Sequence, residues 1–151
     1  MNRRDFIKGA VITSAVLSST RVFAGEYERE AEKKMNRLTN RESPSPLEQK
    51  HVPVMELPER IESGKWFDLH VKVGFMQEHP STPGHWITKI KLLVDGKEVA
   101  KTKFKKGGIS ASGAVFRIRL DRDSTLEAVE NCNLHGTWIS EPTTGKVTKG
   151  T

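Results

Sequence analysis

The sequence predicts an all-β body, an antiparallel β-sandwich, on three observations. Apolar residues alternate with polar ones at a period of two, as in Phe67, Leu69, Val71 and Val73 set against Asp68, His70 and Lys72. Asp95-Gly96 separates two such runs and is a tight hairpin signal. Seven or so short segments of this kind follow one another, spaced by turn residues, which is the pattern of a sandwich. No internal repeat is present.

Taken in order, the chain begins with a different chemistry. Residues 1–24 carry Arg3, Arg4, Lys8 and Arg21 against Asp5 alone, a local charge of +3 out of a total of +6. Arg3-Arg4-Asp5-Phe6-Ile7-Lys8, the weakly apolar stretch Gly9 to Leu17, and Val22-Phe23-Ala24 have the order of a signal peptide. The paired arginines resemble the twin-arginine export signal, which predicts a periplasmic or otherwise exported protein. Cleavage after Ala24 leaves residues 25–151 with a net charge of +3, which gives no footing for a nucleic-acid partner. No apolar run approaches the roughly 18 residues of a membrane span, so none is expected in the mature chain.

Residues 25–46 read as a charged arm and a linker. Glu26 to Leu38 is rich in helix formers with few apolar anchors, which predicts a short solvated helix. Thr39 to Pro46, with Ser43-Pro44-Ser45-Pro46, has linker chemistry, and the body is expected over 47–151. Strands are predicted at Val52 to Leu57, at Phe67 to Val73 and around Trp86, Thr88, Ile90, Leu92 and Val94 as one face. Further ones are expected at Glu98 to Phe104, Phe116 to Leu120, Thr125 to Asn131 and Thr137 to Ser140, with Gly107 to Gly113 as a loop.

The five histidines and the single cysteine carry the chemistry. One cysteine excludes a disulfide framework, a four-cysteine zinc site and a rubredoxin-like module. His70 shares a strand face with Asp68 and Lys72 and is read as solvated. His79 and His85 stand at the two ends of Pro80-Ser81-Thr82-Pro83-Gly84, a loop whose prolines and glycine exclude regular structure and let both rings aim at one point. Cys132 and His135 form a C-x-x-H turn between strands, and His51 precedes Val52-Pro53 at a strand entrance. Imidazole with thiolate suits iron, copper or zinc and not magnesium or calcium. Five ligands exceed a structural zinc site and leave one octahedral position open, which points to a redox-active iron.

Gln49-Lys50-His51-Val52-Pro53, His79-Pro80 through His85-Trp86-Ile87, and Cys132-Asn133-Leu134-His135-Gly136 resemble the superoxide reductase family, the neelaredoxin and desulfoferrodoxin iron domains, over about Leu47 to Ile139. The resemblance implies an immunoglobulin-like antiparallel β-sandwich and one mononuclear iron per chain, cycling between Fe(2+) and Fe(3+). It implies His51, His79, His85 and His135 as equatorial ligands, Cys132 as the axial thiolate, and one-electron reduction of superoxide to hydrogen peroxide. Backbone N–H groups near Asn133 to Gly136 are expected to bond the sulfur and tune its potential. Lys50 matches the family lysine that attracts the anion and orders water for proton delivery. An external electron donor, rubredoxin-like or a periplasmic cytochrome, and a homo-oligomeric state follow from the same resemblance.

One position departs from the pattern. The family usually has glutamate immediately before that lysine, and here it is Gln49, with Glu48 one residue upstream as a substitute if the loop is mobile. Superoxide reduction is expected to survive this change, while the oxidised resting state is altered. A blue-copper carrier is the main rival reading, but it wants two histidines and a methionine shortly after His135, which is absent. A sulfur-compound carrier would want its cysteine on a glycine-rich terminal arm. An exported metal-binding electron-transfer protein without catalytic turnover is the remaining alternative.

Overall fold

The structure is a computed structural model and describes residues 34–150. The signal segment 1–24 and most of the charged arm lie outside the described residues. Among the described residues, ten strands and one short helix follow in chain order. The helix α1 spans Pro46–His51, then come β1 (Pro53–Glu56), β2 (Ile61–Glu62), β3 (Phe67–Val73), β4 (Ile87–Val94) and β5 (Lys97–Lys103). β6 (Gly113–Ile118), β7 (Ser124–Cys132), β8 (Gly136–Ile139), β9 (Thr143–Gly145) and β10 (Val147–Thr148) complete the chain.

These strands form an antiparallel β-sandwich, as the alternation predicted. One sheet has the order β1-β3-β6, and the other the order β5-β4-β7-β8 with β9 also paired to β7. A two-stranded parallel pair, β2 with β10, stands apart from both. In β3 the alternation is strict, so Leu69, Val71 and Val73 are buried while Asp68, His70 and Lys72 are exposed. Facing them across the core are Ile90 and Leu92 of β4 and Leu126 and Ala128 of β7, all without solvent exposure. The Asp95-Gly96 hairpin is observed, with φ of 50° and 76°, the paired positive values that a two-residue turn matching strand twist requires.

β4 differs from its expected phase. The sequence places Trp86 and Thr88 on one face with Ile90, but the pairing with β7 shifts register between Ile87 and Lys89. The extra residue of this bulge turns Ile87 inward together with Ile90 and Leu92. It does so where β4 meets Cys132, whose register partner is Ile87.

Two expectations before Leu47 are corrected. Residues 34–38, the described end of the expected helix, are not helical. With few apolar anchors to hold a helix, the backbone instead pairs with β8: the Asn36 N–H donates to the Thr137 carbonyl at 2.9 Å, and the Ile139 N–H donates to the Asn36 carbonyl at 2.9 Å. Ser45-Pro46, read as linker, is the start of α1. Ser45 is the N-cap, Pro46 opens the first turn, and the Glu48 side chain returns to the Ser45 N–H at 2.6 Å while its own N–H donates to Ser45 Oγ at 3.2 Å. That is a reciprocal capping box. His51 therefore sits at the end of a helix and not at a bare strand entrance. Among the described residues, no helix is long and apolar enough to cross a membrane.

A six-residue helix has almost no stability of its own, so its cap matters. Ser45→Ala is expected to cost about 1 kcal/mol, seen as a lower urea midpoint with an unchanged slope.

Candidate metal centre

Four imidazoles meet at one end of the sandwich. His51 closes α1, His79 and His85 bound the β3–β4 loop, and His135 lies in the turn between β7 and β8. Their rings form a closed square in the order 51, 79, 85, 135, with centroid separations of 4.8, 4.6, 5.0 and 4.9 Å. Neighbouring rings are steeply inclined, by 68° to 79°, and the opposed pair His51 and His85 is 6.3 Å apart. Cys132 is buried, with Sγ 3.6 Å from Nδ1 of His135. Donor atoms of His51, His85, Cys132 and His135 lie within 4.8 Å of one another. His79 falls outside that tightest group but completes the ring of imidazoles. His70 is exposed on the far face of β3, as read.

The second nitrogen of two rings is fixed by backbone. His51 Nδ1 lies 2.7 Å from the Leu47 carbonyl, one helical turn back, and His79 Nδ1 lies 2.7 Å from the Pro80 carbonyl. A carbonyl accepts only, so each Nδ1 carries the proton and each Nε2 presents a lone pair. Nε2 of His51, His79 and His85 are all buried without a hydrogen-bond partner among the described residues. Buried nitrogens without partners are costly, and several converging with a thiol need an occupant that accepts lone pairs. A nitrogen and sulfur donor set of this kind fits iron.

Burial is also the main electrostatic influence. It pushes His79 down to about 4, assisted by His51, and lowers His51 and His85. Burial raises the Cys132 thiol, and backbone N–H groups of Leu134 and His135 oppose that shift. Those two donors lie within the stretch expected from sequence to bond the sulfur. Lys50 is exposed beside the site, and its charge contributes to the lowering at His51 and His85.

Several supporting residues went unread in the sequence. Asn133 clamps the loops that carry His85 and Cys132: its Nδ2 donates to the Gly84 carbonyl and its Oδ1 accepts from the Trp86 N–H, both at 2.9 Å. Trp138 stacks on His51 at 5.2 Å and donates its indole N–H to the His135 carbonyl at 3.0 Å. Glu130 is fully buried on the Cys132 side of β7, with both oxygens unpaired, and burial pushes it up to about 9. Strand alternation was the available signal, since residues 128, 130 and 132 share a face.

Glu48 is not free to reach the centre. Its Oε1 accepts from the Thr39 hydroxyl and N–H at 2.6 and 2.7 Å, and its Oε2 from the Ser45 N–H. The Thr39 hydroxyl and these N–H groups hold the carboxyl down at about 2. Gln49 is also engaged, donating from Nε2 to the Pro44 carbonyl at 3.0 Å.

Comparison with known proteins settles the family at this point. The Desulfoferrodoxin family model matches residues 43–141. The chain belongs to the desulfoferrodoxin family. Desulfoferrodoxin relatives include a putative superoxide reductase of Thermotoga maritima, 35% identical over 61% of this chain and 83% of its own length. A superoxide reductase of Thermococcus kodakarensis is 33% identical over 63% of this chain and 87% of its own. Among solved structures, the superoxide reductase (neelaredoxin) of Ignicoccus hospitalis aligns with a TM-score of 0.63 at 25% identity, covering 76% of this chain and 95% of that one. The reduced neelaredoxin of Archaeoglobus fulgidus gives 0.58 at 26% identity, covering 74% and 98%. The immunoglobulin-like sandwich expected from sequence is thus the fold of these superoxide reductase (neelaredoxin) neighbours.

Two outcomes test this geometry. Asn133→Ala is expected to weaken metal affinity by about tenfold or more, read by competition with a chelator. Glu48 has a folded pKa below its ordinary 4.5, so its stabilising contribution is present above that pH and is lost as pH falls from 4.5 towards 2. Urea midpoints of the wild type and Glu48→Gln should therefore differ at pH 6, and the difference should shrink below pH 4.5 and vanish only as pH approaches about 2.

Proposed function

We propose that this protein is a superoxide reductase, reducing superoxide by one electron to hydrogen peroxide at an iron held by His51, His79, His85, His135 and Cys132. The square of imidazoles with a buried thiol beside it carries the reading. When bound, the iron supplies the single electron that superoxide takes. Atoms balance when superoxide gains that electron and two protons and leaves as hydrogen peroxide.

The remaining work falls to the chain. The carbonyls of Leu47 and Pro80 fix the tautomers of His51 and His79, so their Nε2 lone pairs stay directed inward without reorganisation. N–H groups of Leu134 and His135 stabilise the sulfur as thiolate against its burial. His135 is exposed and His85 half-exposed, which makes their side of the ring the open approach for a small anion. Lys50 supplies a positive charge at that approach; it draws in the substrate and orders water for protonation.

Export belongs to the same reading. Arg3-Arg4-Asp5-Phe6-Ile7-Lys8 supports a twin-arginine signal and a periplasmic protein that meets superoxide outside the cytoplasm. An external one-electron donor and assembly into a homo-oligomer complete the proposal.

Metal analysis coupled to rapid mixing with superoxide tests the activity. Iron at one per chain and consumption of superoxide without release of dioxygen support it; zinc, or copper with an intense blue band, overturns it. Lys50→Gln should slow the second-order reaction with superoxide by about tenfold and flatten its salt dependence, measured by pulse radiolysis. Gln49→Glu should change the visible spectrum and azide affinity of the oxidised protein while leaving the rate with superoxide intact; an unchanged spectrum would refute the importance of that position.

A further inference from the structure

Outside the centre, the most unusual feature is the charge on β4 and β5. Residues 87–106 hold seven lysines against Asp95 and Glu98, a net of +5 in a chain whose total is +6. The register pairs Lys89 with Lys103 and Lys91 with Lys101 directly across the two strands. All four point away from the core, because Ile90, Leu92, Ala100 and Thr102 occupy the alternate positions. Like charges directly opposite one another destabilise a sheet.

Compensation is partial. Glu98 bonds Lys91 at 2.8 Å and Lys101 at 3.5 Å, and among the described residues no carboxylate pairs with Lys89 or Lys103. Burial and the charges of Lys91, Lys101 and Lys103 lower the Lys89 ammonium. Lys89 and Lys103 are thus left as unbalanced positive charge on the outward face, where an anionic partner can meet it.

The patch is continuous with the metal centre. After Lys103, the Phe104 carbonyl accepts the indole N–H of Trp86 at 3.1 Å, and the Phe104 N–H donates to Thr88 at 2.8 Å. Trp86 follows His85 directly in sequence. Lys105 and Lys106 are exposed, and Gly107 then packs so tightly on the Thr82 carbonyl that a Cβ there would overlap it. Lysines therefore run from the outer sheet face to the rim of the loop bounded by His79 and His85.

We propose that the outward face of β4 and β5, centred on Lys89, Lys91, Lys101 and Lys103, docks a small acidic protein that is a one-electron carrier and the donor to this centre. The inference rests on the reductase reading, which consumes one external electron per turnover. In the docked pair the reduced carrier loses one electron and the centre gains it, entering on the His85 side through Trp86. Charge complementarity selects the partner class. Nucleic acid is disfavoured, since residues 87–106 contain no arginine for bidentate phosphate contacts and Glu98 lies inside the patch.

Stopped-flow reduction of the oxidised iron protein by reduced rubredoxin, an acidic one-electron carrier, provides the test. Lys89→Gln with Lys103→Gln should slow that step by about tenfold at low salt and flatten its salt dependence. Lys146→Gln with Lys149→Gln removes the same net charge elsewhere and should leave it unchanged. Lys103→Gln alone, at an exposed position, serves if the double variant fails to fold. In the zinc-loaded protein, rubredoxin should shift amide resonances along β4 and β5. Wild-type rates in the lysine variants, equal losses in both pairs, or resonance shifts confined to another face would overturn the proposal. So would loss of binding to duplex DNA or to vesicles of anionic lipid with electron transfer intact. Superoxide consumption by dithionite-reduced protein is measured separately: its failure sinks the reductase reading, while failure of the rubredoxin step alone sinks only the docking surface.

Discussion

The structure depends on one constraint, the burial of imidazole nitrogens whose lone pairs converge without protons between them. Three Nε2 atoms are removed from water with no partner among the described residues, and such groups are tolerated only if each ring is held in one tautomer and one orientation. The second nitrogen does this work for His51 and His79, through the carbonyls of Leu47 and Pro80. Those carbonyls belong to a capped helical turn and to a proline-fixed loop, neither of which can drift far. Everything nearby reinforces the same placement: Trp138 stacks on His51 and holds His135, and Asn133 ties the Cys132 turn to the His85 loop.

Much of the sandwich was legible because strand burial is periodic, and β3 obeys the period without exception. The bulge in β4 was not legible, since an extra residue leaves no mark on composition, and only the pairing with Cys132 reveals that Ile87 turns inward. Helix α1 was hidden for a different reason. Ser-Pro repeats read as linker, yet Ser45-Pro46-Leu47-Glu48 also spells a capping box with proline in its first turn. His79 and His85 were found because the loop between them excludes regular structure, and Cys132 with His135 because of their C-x-x-H spacing, although His51 closes a helix and Cys132 ends a strand. Asn133, Trp138 and Glu130 were not, because their roles are defined by what they touch across strands.

The helix cap has a consequence at the centre that sequence spacing obscured. Glu48 spends both carboxylate oxygens on Thr39 and Ser45, and Gln49 is tied to Pro44. No carboxylate of α1 is therefore free to turn towards the imidazoles. Glu130, the acid on the Cys132 side of β7, is held neutral at ordinary pH by its burial. The formal anion that remains available to balance a bound cation is the Cys132 thiolate.

That balance explains why positive charge outside the centre can be functional and not merely tolerated. A cation held by neutral imidazoles and one thiolate keeps a net positive charge, and Lys50 stands beside it. Two such charges facing the open side of the ring favour a small anion there, over a short range set by screening. The lysines of β4 and β5 act on another face and over a wider area, where a large partner can spread its contacts. The proposed donor would spread over that sheet face up to the His85 loop, while superoxide, a far smaller anion, needs only the open side of the ring. The sandwich brings these charges to one end of the molecule, because His51 and Lys50 enter from α1, ahead of β1, while His85 and Trp86 lead into β4 in the opposite sheet.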